Sequence, residues 1–511
     1  MEDRRGENTI INAVDIVDTS IRIPNSDNVN PNNINNFTGR GEYNANTLVS
    51  LIGRIVYSYM DRYYLTGTIR RDGSSRFGVD TRYGNIPSIA GAWRVSNEAF
   101  FGNEGAISDL KVEAGYGISG SNANVGNYQA QGRINPQNPS AARPDFVFGG
   151  EFAAGSAVTA LPNSQLTWEE SQEINFGVDI GFLRDRFYLS ADYYDIETAG
   201  FLSNLPLPRT SGFENIITNL GSIQNRGVEI ELSIRNVLNT ENLVWDAKFN
   251  FTRNRSKVLE LAAESGFIRP GVIARAFTET AVGEEVGLYR GFNVTGLFTQ
   301  AEIDDPDVPK YPGAVEGSLK YEDGNEDGSL GDAEDFVIIG NPNPDFTYGM
   351  VHTLRYNNFD LNVVFVGAVG QQIFNGFNQF NGNQDGNFNL TRDQLERWRP
   401  GQDPNSAVVP GTASPVSRQR FRQPNSLFVE DADYLWVRNI TLGYNLSGEV
   451  VDNFFKNARI YTSIQNPFLI TNYENGNPEI NRSGDTALVR NVNYGSYPIS
   501  RVFTVGIDVT F

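Results

Sequence analysis

The last eleven residues are Arg501-Val-Phe-Thr-Val-Gly-Ile-Asp-Val-Thr-Phe511, and they carry the clearest structural signal in the chain. From Phe503 onward every second residue is bulky and apolar, and the residues between are threonine, glycine or aspartate. Successive side chains of a strand point to opposite faces, so this segment predicts a strand with one apolar and one polar face. The pattern is typical of a transmembrane β-strand, which has lipid on one side and a wet lumen on the other.

The same alternation recurs along the chain. Apolar residues occupy every second position from Ile174 to Phe182, from Val228 to Ile234 and from Trp245 to Phe251. Spanning strands are predicted over residues 47–59, 62–71, 87–95, 107–118, 172–182, 185–197, 224–235, 243–254, 344–356, 358–369, 431–446, 457–466 and 499–511. A soluble sandwich gives the same alternation more weakly, so the connections must distinguish the two architectures.

Connection lengths favour a membrane barrel. Alternate connections are short, as at Met60-Asp61 and Leu183-Arg184. The intervening ones are long and comprise residues 72–86, 119–171, 198–223, 255–343, 370–430 and 467–498. Outer-membrane barrels have short periplasmic turns and longer extracellular loops. Residues 285–297 also resemble a strand, but a span there would put long loops on both sides. They are therefore assigned to a hairpin or inward fold of the 255–343 loop.

The number of predicted strands, thirteen, indicates an incomplete wall. Bacterial single-chain barrels have even strand numbers, and an open sheet would leave backbone groups unsatisfied in lipid. Residues 47–511 are therefore expected to form the C-terminal part of a larger, all-β transmembrane antiparallel β-barrel. Residues 1–46, which are rich in Asn and Pro, are expected to be the loop remnant of a missing N-terminal part.

Composition argues against several classes of function. The formal net charge of −20 argues against a nucleic-acid partner. The chain has no cysteine, hence no disulfide and no thiolate metal site. Its single histidine, His352, lies in a strand pattern and is expected to line the pore or to be packed. No acid–base pair or nucleophile stands out, so the chain is not expected to be an enzyme. The first residues lack the segments of a signal peptide.

Residues 323–334 have the ligand spacing of a calcium-binding loop. Oxygen ligands at positions 1, 3, 5, 7 and 12 would come from Asp323, Asn325, Asp327, Ser329 and Glu334. Gly328 permits the turn, and Leu330 would pack beneath the loop. Flanking helices are not evident, so the prediction is a stand-alone loop with a structural Ca²⁺. The alternative is an acidic surface loop in an acidic protein.

Residues 371–390 interleave asparagine, glutamine and phenylalanine. Such a surface suits sugar or peptide ligands, because amides form hydrogen bonds and aromatic rings stack. The alternative is a glycine-rich extracellular loop that docks a partner or takes no fixed course.

Several segments closely resemble SusC/RagA-type TonB-dependent outer-membrane transporters of Bacteroidetes. The resemblance lies in residues 70–78 (RRDGSSRFG), 225–232 (NRGVEIEL), 323–334, 339–349 (IGNPNPDFTYG), 429–444 (VEDADYLWVRNITLGY) and the terminal strand. It extends from about residue 48 to the C-terminus, and Pro467 stands where leucine is usual.

The resemblance implies a barrel of about 22 strands, with an N-terminal plug and a TonB box that this sequence lacks. It also implies a SusD-like lipoprotein as an extracellular lid. Large nutrients, such as glycan oligosaccharides or peptides, would be imported across the outer membrane with energy supplied through TonB. Two alternatives stay open: a passive porin-like barrel that never had a plug, and a secreted β-rich glycan-binding or adhesin module.

Overall fold

Fourteen strands of the computed structural model form one antiparallel sheet, here called the wall. The structure describes residues 2–13, 37–102, 105–131, 133–135, 146–148, 151–153, 157–213, 215–262, 265–269, 272–273, 276–330, 333–382, 388–407, 409–411, 421–446, 455–480, 488–495 and 497–510. The wall strands are β1 (Glu2–Ala13), β2 (Phe37–Tyr59), β3 (Tyr63–Ser74), β4 (Tyr83–Arg94), β5 (Ile107–Ser121), β6 (Glu169–Phe182), β7 (Phe187–Ala199), β8 (Gly221–Asn239), β9 (Leu243–Leu261), β10 (Phe346–Tyr356), β11 (Phe359–Val369), β12 (Tyr434–Leu446), β13 (Asn457–Thr471) and β14 (Val502–Thr510). Each strand pairs with the next in this order.

All thirteen predicted spans correspond to wall strands, from β2 to β14. The prediction for residues 285–297 is also confirmed. Their two short strands, Leu288–Gly291 and Val294–Leu297, pair within the loop region and not with the wall. Within the described part of the chain the sheet is open, because β14 pairs with β13 alone.

The structure corrects the loop assignment of the first 46 residues in part. Residues 2–13 form β1, which pairs with the first half of β2, from Glu2 opposite Leu48 to Ala13 opposite Phe37. The sequence gives no sign of this strand, since residues 2–9 are mostly charged or polar and offer no apolar face. Pairing with a partner strand satisfies the backbone without such a face.

The register of the wall sorts side chains into an outer and a lumen face. Directly opposed residues share a face, and one row across the last strands consists of Val363, Ile440, Ile464 and Phe503. The neighbouring row consists of Asn362, Thr441, Ser463 and Thr504. Ile55 and Val505, on the apolar face, are 76% and 77% exposed. An exposed apolar band of this kind is the lipid-contacting surface of a barrel, and the polar row faces the lumen.

The short turns use backbone conformations that bulky residues rarely adopt. Met60 and Asp61, between β2 and β3, have φ angles of 51° and 55°. Two successive residues with positive φ match the twist of a two-residue hairpin. Leu183 and Arg184, between β6 and β7, adopt the same region with φ of 52° and 62°.

The long connections fold into a second body, here called the loop layer. It comprises the described residues of segments 75–82, 122–168, 200–220, 262–345, 370–433 and 472–501. Its short strands are Arg133–Asn135, Phe146–Phe148, Glu151–Ala153, Ala157–Ala160, Leu202–Pro206, Asn215–Asn219, Phe267–Ile268, Val272–Ile273, Ala276–Ala281, Leu288–Gly291, Val294–Leu297, Leu319–Tyr321, Val337–Gly340, Gln372–Asn375, Val429–Asp431 and Val492–Asn493.

Helices of the described residues are few and short. The two α-helices are Gln300–Asp304 and Asn378–Asn381. The 3₁₀ helices are Val95–Asn97, Arg209–Ser211, Ala333–Asp335, Arg392–Glu396, Pro404–Ser406 and Ser426–Phe428. No helix in the described ranges has the length and apolar character needed to cross a membrane.

The loop layer has an aromatic core of its own. One cluster packs Phe292, Phe298, Tyr311 and Trp398 together, all at most 4% exposed. A second packs the buried Tyr289, Phe374, Phe428, Val489 and Val492. Burying side chains of this size is the main favourable contribution to a fold in water. The layer is therefore a packed structure at one end of the wall.

Candidate functional site

The lumen face of β4 to β7 carries paired charges. Arg94 donates from Nε and Nη2 to the two carboxylate oxygens of Asp109, each at 3.0 Å. Lys111 lies 2.5 Å from Glu113 and 3.3 Å from Asp179. A cavity of about 680 Å³ lies over these groups. Since each cation has a carboxylate partner, this patch is a polar lining and offers no free charge of either basic residue to a ligand.

A second ionic group joins the last wall strands. Arg459 of β13 donates from Nε to Asp360 of β11 at 2.9 Å, and its Nη1 lies 3.4 Å from Asp508 of β14. Both carboxylates lie on the lumen face by register. Charge-assisted bonds of this kind are shorter and stronger than neutral ones, so they fix the order of the strands from within the lumen.

Tyr289 joins three long connections at one point in the loop layer. Its hydroxyl lies 2.9 Å from the carbonyl oxygen of Arg490, 2.8 Å from that of Asn491 and 3.3 Å from that of Gln372. The side chain is fully buried, and burial raises the pKa of the phenol well above its ordinary value. A neutral hydroxyl therefore keeps its one proton, which these carbonyl groups share.

Residues 339–345, part of one segment that carries the family resemblance, pack directly against this junction. The Asn491 side chain donates to the carbonyl of Pro342 at 2.9 Å. A Cβ atom at Gly340 would lie 2.6 Å from Cγ1 of Val429, closer than such atoms approach. The glycine is required because two connections cross here without room for a side chain.

A cavity of about 990 Å³, here called the wall–loop cavity, lies where the lumen face of β8 and β9 meets the loop layer. Its polar lining includes Asn225, Thr252, Asn254, Ser256, Glu285 and Arg490. Its aromatic lining consists of Phe201, Phe267 and Phe346. Tyr194 donates to Oδ1 of Asn254 at 3.0 Å, and Asn254 donates to Oδ1 of Asn225 at 3.2 Å.

The predicted calcium loop folds around its own acidic side chains. The backbone N–H groups of Asp327 and Gly328 donate to the Asp323 carboxylate at 3.3 and 2.9 Å. Asn325 accepts from the same Asp327 N–H at 3.2 Å, and Asp327 accepts from Ser329 at 2.8 Å. Gly328 has a φ of +82°, as the sequence pattern requires. The three predicted side-chain ligands Asp323, Asn325 and Asp327 therefore lie in one tight loop with Ser329, whose backbone carbonyl is the predicted ligand at position 7.

The rest of the predicted site is less complete. Leu330 is 4% exposed and packs into the aromatic cluster, which confirms its predicted role. Glu334 lies in the 3₁₀ helix Ala333–Asp335 and is exposed, and Gly331 and Asp332 lie outside the described residues. The described residues contain no group of three or more His, Asp or Glu side chains arranged to hold a metal. Calcium at this loop stays a prediction.

Two other predictions are resolved by packing. In segment 371–390, the structure buries Gln371, Phe374 and Asn375 in the loop layer, so the first part of the segment is core and not a binding surface. Residues 383–387 lie outside the described residues. His352 is the packed histidine of the two alternatives. Its Nδ1 accepts from Trp245 at 3.3 Å on the outer face, and it does not line the pore.

Comparison with known proteins identifies the wall. Residues 12–272 match the family model described as TonB dependent receptor-like, beta-barrel. The chain belongs to the TonB-dependent receptor family. It is 32% identical over 477 residues to TonB-dependent receptor P3 of Formosa agariphila, which covers 92% of this chain and 46% of that protein. It is 28% identical to TonB-dependent receptor SusC of Bacteroides thetaiotaomicron, over 91% of this chain and 44% of SusC.

The fold of this TonB-dependent receptor chain is that of RagAB. The structure of the RagAB peptide importer in its closed-closed state superimposes with a TM-score of 0.76 at 23% identity. The match covers 100% of this chain and 52% of that chain. The chain thus spans about half the length of the curated relatives and solved structures it matches. The SusC/RagA resemblance, the barrel fold and the outer-membrane location are confirmed.

Sequence reasoning misses the Tyr289 junction and the wall–loop cavity. Tyr289 and Asn491 are 202 residues apart in the chain, and neither stands in a motif that suggests the other. The sequence feature that could have indicated the junction is the run of asparagine and proline at 339–345. So many turn-forming residues in a short segment indicate a loop with a fixed conformation.

Proposed function

We propose that the chain is the C-terminal part of a TonB-dependent outer-membrane importer of large nutrients. The observation that carries this proposal is the combination of two parts: a wall with a lipid-facing and a lumen face, and a packed loop layer formed by the long connections at one end of it. Closing the barrel requires strands in addition to those described. This supports a barrel whose other strands come from the remainder of a longer protein.

The loop layer supports gated import over passive diffusion. Tyr434 of β12, on the lumen face, donates to Glu479 of the loop layer at 2.7 Å, so the layer reaches the inner surface of the wall. A porin keeps a water-filled channel through its barrel. A thick, packed layer that contacts the lumen instead suits a protein that admits bulky cargo by rearrangement.

The cargo and partners that we propose are based on the similar proteins. RagAB is a peptide importer, and SusC is a TonB-dependent receptor. For this chain we infer import of glycan oligosaccharides or peptides, a SusD-like surface lipoprotein as partner, and energy supplied through TonB. The loop at 323–334 is included in the proposal as a structural Ca²⁺ site, supported by the side chains of Asp323, Asn325 and Asp327, which are gathered in one turn.

Growth of the native host tests the proposal. Deletion of the full-length gene is expected to abolish growth on one class of glycan or peptide as sole carbon source. Complementation with the full-length gene should restore growth in a host with TonB and fail in a host without it. Restored growth without TonB would support the passive barrel, and unaffected growth of the deletion strain on every carbon source would overturn import altogether.

A further inference from the structure

The wall–loop cavity has the dimensions of a binding site. Its volume of about 990 Å³ lies at the top of the range of about 300–1,000 Å³ that ligand pockets occupy. It is bounded by the regular strands β8 and β9 on one side and by packed loop segments on the other. A site on rigid strands holds its side chains in place better than one built from loops alone.

One side of the cavity is a ladder of neutral polar groups. Thr252, Asn254 and Ser256 lie at every second position of β9, on the same lumen face, and Asn225 of β8 lies opposite Ser256. Hydroxyl and amide groups both donate and accept hydrogen bonds. A sugar hydroxyl does the same, so a chain of sugar hydroxyls is the ligand that this ladder matches.

The wall backbone beside the cavity is already partly paired. Peptides commonly bind by adding a strand to an exposed sheet edge. Thr252 of β9 is paired on both sides, with Glu229 of β8 and with Thr347 of β10, whereas Asn254 and Ser256 are paired with β8. The aromatic lining, such as Phe267 and Phe201, gives the apolar faces of sugar rings a surface on which to pack.

The charged residues of the cavity lining are Glu285 and Arg490, in a chain whose net charge is −20. The Glu285 carboxylate is already engaged: it accepts from Asn341 at 3.0 Å and from Asn343 at 3.2 Å, and lies 3.7 Å from Arg255. The Arg490 side chain is exposed and donates one hydrogen bond among the described residues, from Nη1 to Oδ1 of Asn343 at 3.4 Å. No carboxylate of the described residues lies within ion-pair distance of it.

We infer that the wall–loop cavity binds an acidic oligosaccharide, with Arg490 bonding a carboxylate of the sugar chain. The guanidinium fork matches a carboxylate with two parallel hydrogen bonds. The ladder on β9 bonds the neighbouring hydroxyls, and the phenyl rings pack against the ring faces. The inference rests on the proposed function, because it names the substrate class of the same importer.

Calorimetry on the purified full-length receptor in detergent tests the assignment. The probes are a trimer of galacturonate, a trimer of galactose and a trimer of glutamate. The galacturonate trimer is expected to bind the wild type more tightly than the other two. Arg490→Gln should weaken this binding about tenfold or more and leave the galactose trimer unchanged. Thr252→Val, which keeps the side-chain shape, should weaken both sugars by about two- to tenfold.

Arg399→Gln is the matched control, since Arg399 is also an exposed arginine of the loop layer but does not line the cavity. It should bind every probe as the wild type does. The assignment is overturned if Arg490→Gln binds the galacturonate trimer normally, if only the glutamate trimer binds, or if no probe binds.

Growth separates this inference from the proposed function. The Arg490→Gln receptor can be compared with the wild type for TonB-dependent growth on acidic glycans. Equal growth on every one of them would disprove the cavity assignment but leave the proposed import function unaffected. If deletion of the gene has no effect on growth, import itself fails.

Discussion

The wall and the loop layer place the same kinds of residue in opposite positions. On the wall, Val505 and Phe503 are 77% and 71% exposed on the outer face. In the loop layer, Tyr289 and Phe374 have no exposed surface at all. The wall meets lipid and can display apolar side chains, whereas the loop layer meets water and must bury them. One chain thus follows two rules of burial, according to the solvent that each part meets.

The same truncation should have different effects in the two regions. Phe374→Ala leaves a cavity in the loop-layer core and should destabilise the layer by about 3–5 kcal/mol. Phe503→Ala, on the outer face of β14, leaves no cavity in protein and should have a much smaller effect. Limited proteolysis of the full-length receptor in detergent, followed at increasing denaturant, measures both. Equal protection of the two variants would contradict a packed core in the loop layer.

The outer face should reject a charge that the lumen face accepts. Val363→Arg places a guanidinium among apolar side chains of β11 and should cost about 2–4 kcal/mol at the membrane midplane. Asn362→Arg, one position earlier, places the same group in the lumen row. The amount of receptor in outer-membrane fractions, and refolding into lipid vesicles, report the difference. A lower level of the Asn362→Arg protein than of Val363→Arg would reverse our assignment of the faces.

The junction at Tyr289 should link distant parts of the loop layer. Tyr289→Phe keeps the ring but removes the one hydroxyl donor that the Arg490, Asn491 and Gln372 carbonyls share, at a cost of about 1–3 kcal/mol. Hydrogen exchange should therefore rise at residues 372–375 and 488–493 together. Tyr311→Phe is the control, because the Tyr311 hydroxyl donates to Leu319 of its own connection at 3.1 Å. Its effect should stay between residues 297 and 321. Exchange confined to the surroundings of residue 289 would disprove the link.

Calcium removal should loosen the loop layer and leave the wall unchanged. If the 323–334 loop holds the ion, saturation at 100 times the dissociation constant contributes about 2.7 kcal/mol. Chelation or Asp327→Ala should then raise the protease sensitivity of the 255–343 region. Glu326→Gln is the control, because position 4 of such a loop supplies no side-chain ligand. Unchanged sensitivity after chelation would leave the acidic surface loop as the interpretation.

Glu430 should give the loop layer a small pH dependence. Burial raises the pKa of this carboxyl from its ordinary 4.5, and the nearby Glu474 adds to the rise, against hydrogen bonds from Asn375 and Asn378. The pKa of Glu430 is higher in the folded than in the unfolded protein. The contribution of this carboxyl to the stability of the folded protein is therefore complete below pH 4.5, and it is lost as the pH rises through the folded-state pKa.

Glu430→Gln should remove this slope, because glutamine does not titrate. The fold should be preserved, because the amide oxygen can still accept from Asn375 and Asn378. Denaturant midpoints for opening of the loop layer, measured from pH 4 upward, compare the two proteins. Parallel pH profiles for wild type and Glu430→Gln would show that another group titrates.

The strands of the wall could be predicted because the sequence pattern of a strand is local. A strand places every second side chain on one face, so the pattern from Ile174 to Phe182 predicts β6 without knowledge of its partner. The same reasoning failed at β1, where a polar segment without an apolar face pairs with β2. For the loop layer, the sequence suggested a ligand surface at 371–390, but Gln371 and Phe374 proved to be core. Asn, Gln and Phe serve both purposes, and only the packing partners distinguish them.

Periodicity, loop length and motif were sufficient for the fold class, the membrane faces and the family, since each of these depends on residues near one another in the chain. The position of Arg490 beside the β9 ladder, and of Tyr289 beneath Asn491, depended on how the long connections pack together. Contacts across some two hundred residues leave no period in the sequence, because either partner can be changed without altering any local pattern. The tertiary structure alone therefore placed the wall–loop cavity, with Arg490 in its lining, between the lumen face and the loop layer.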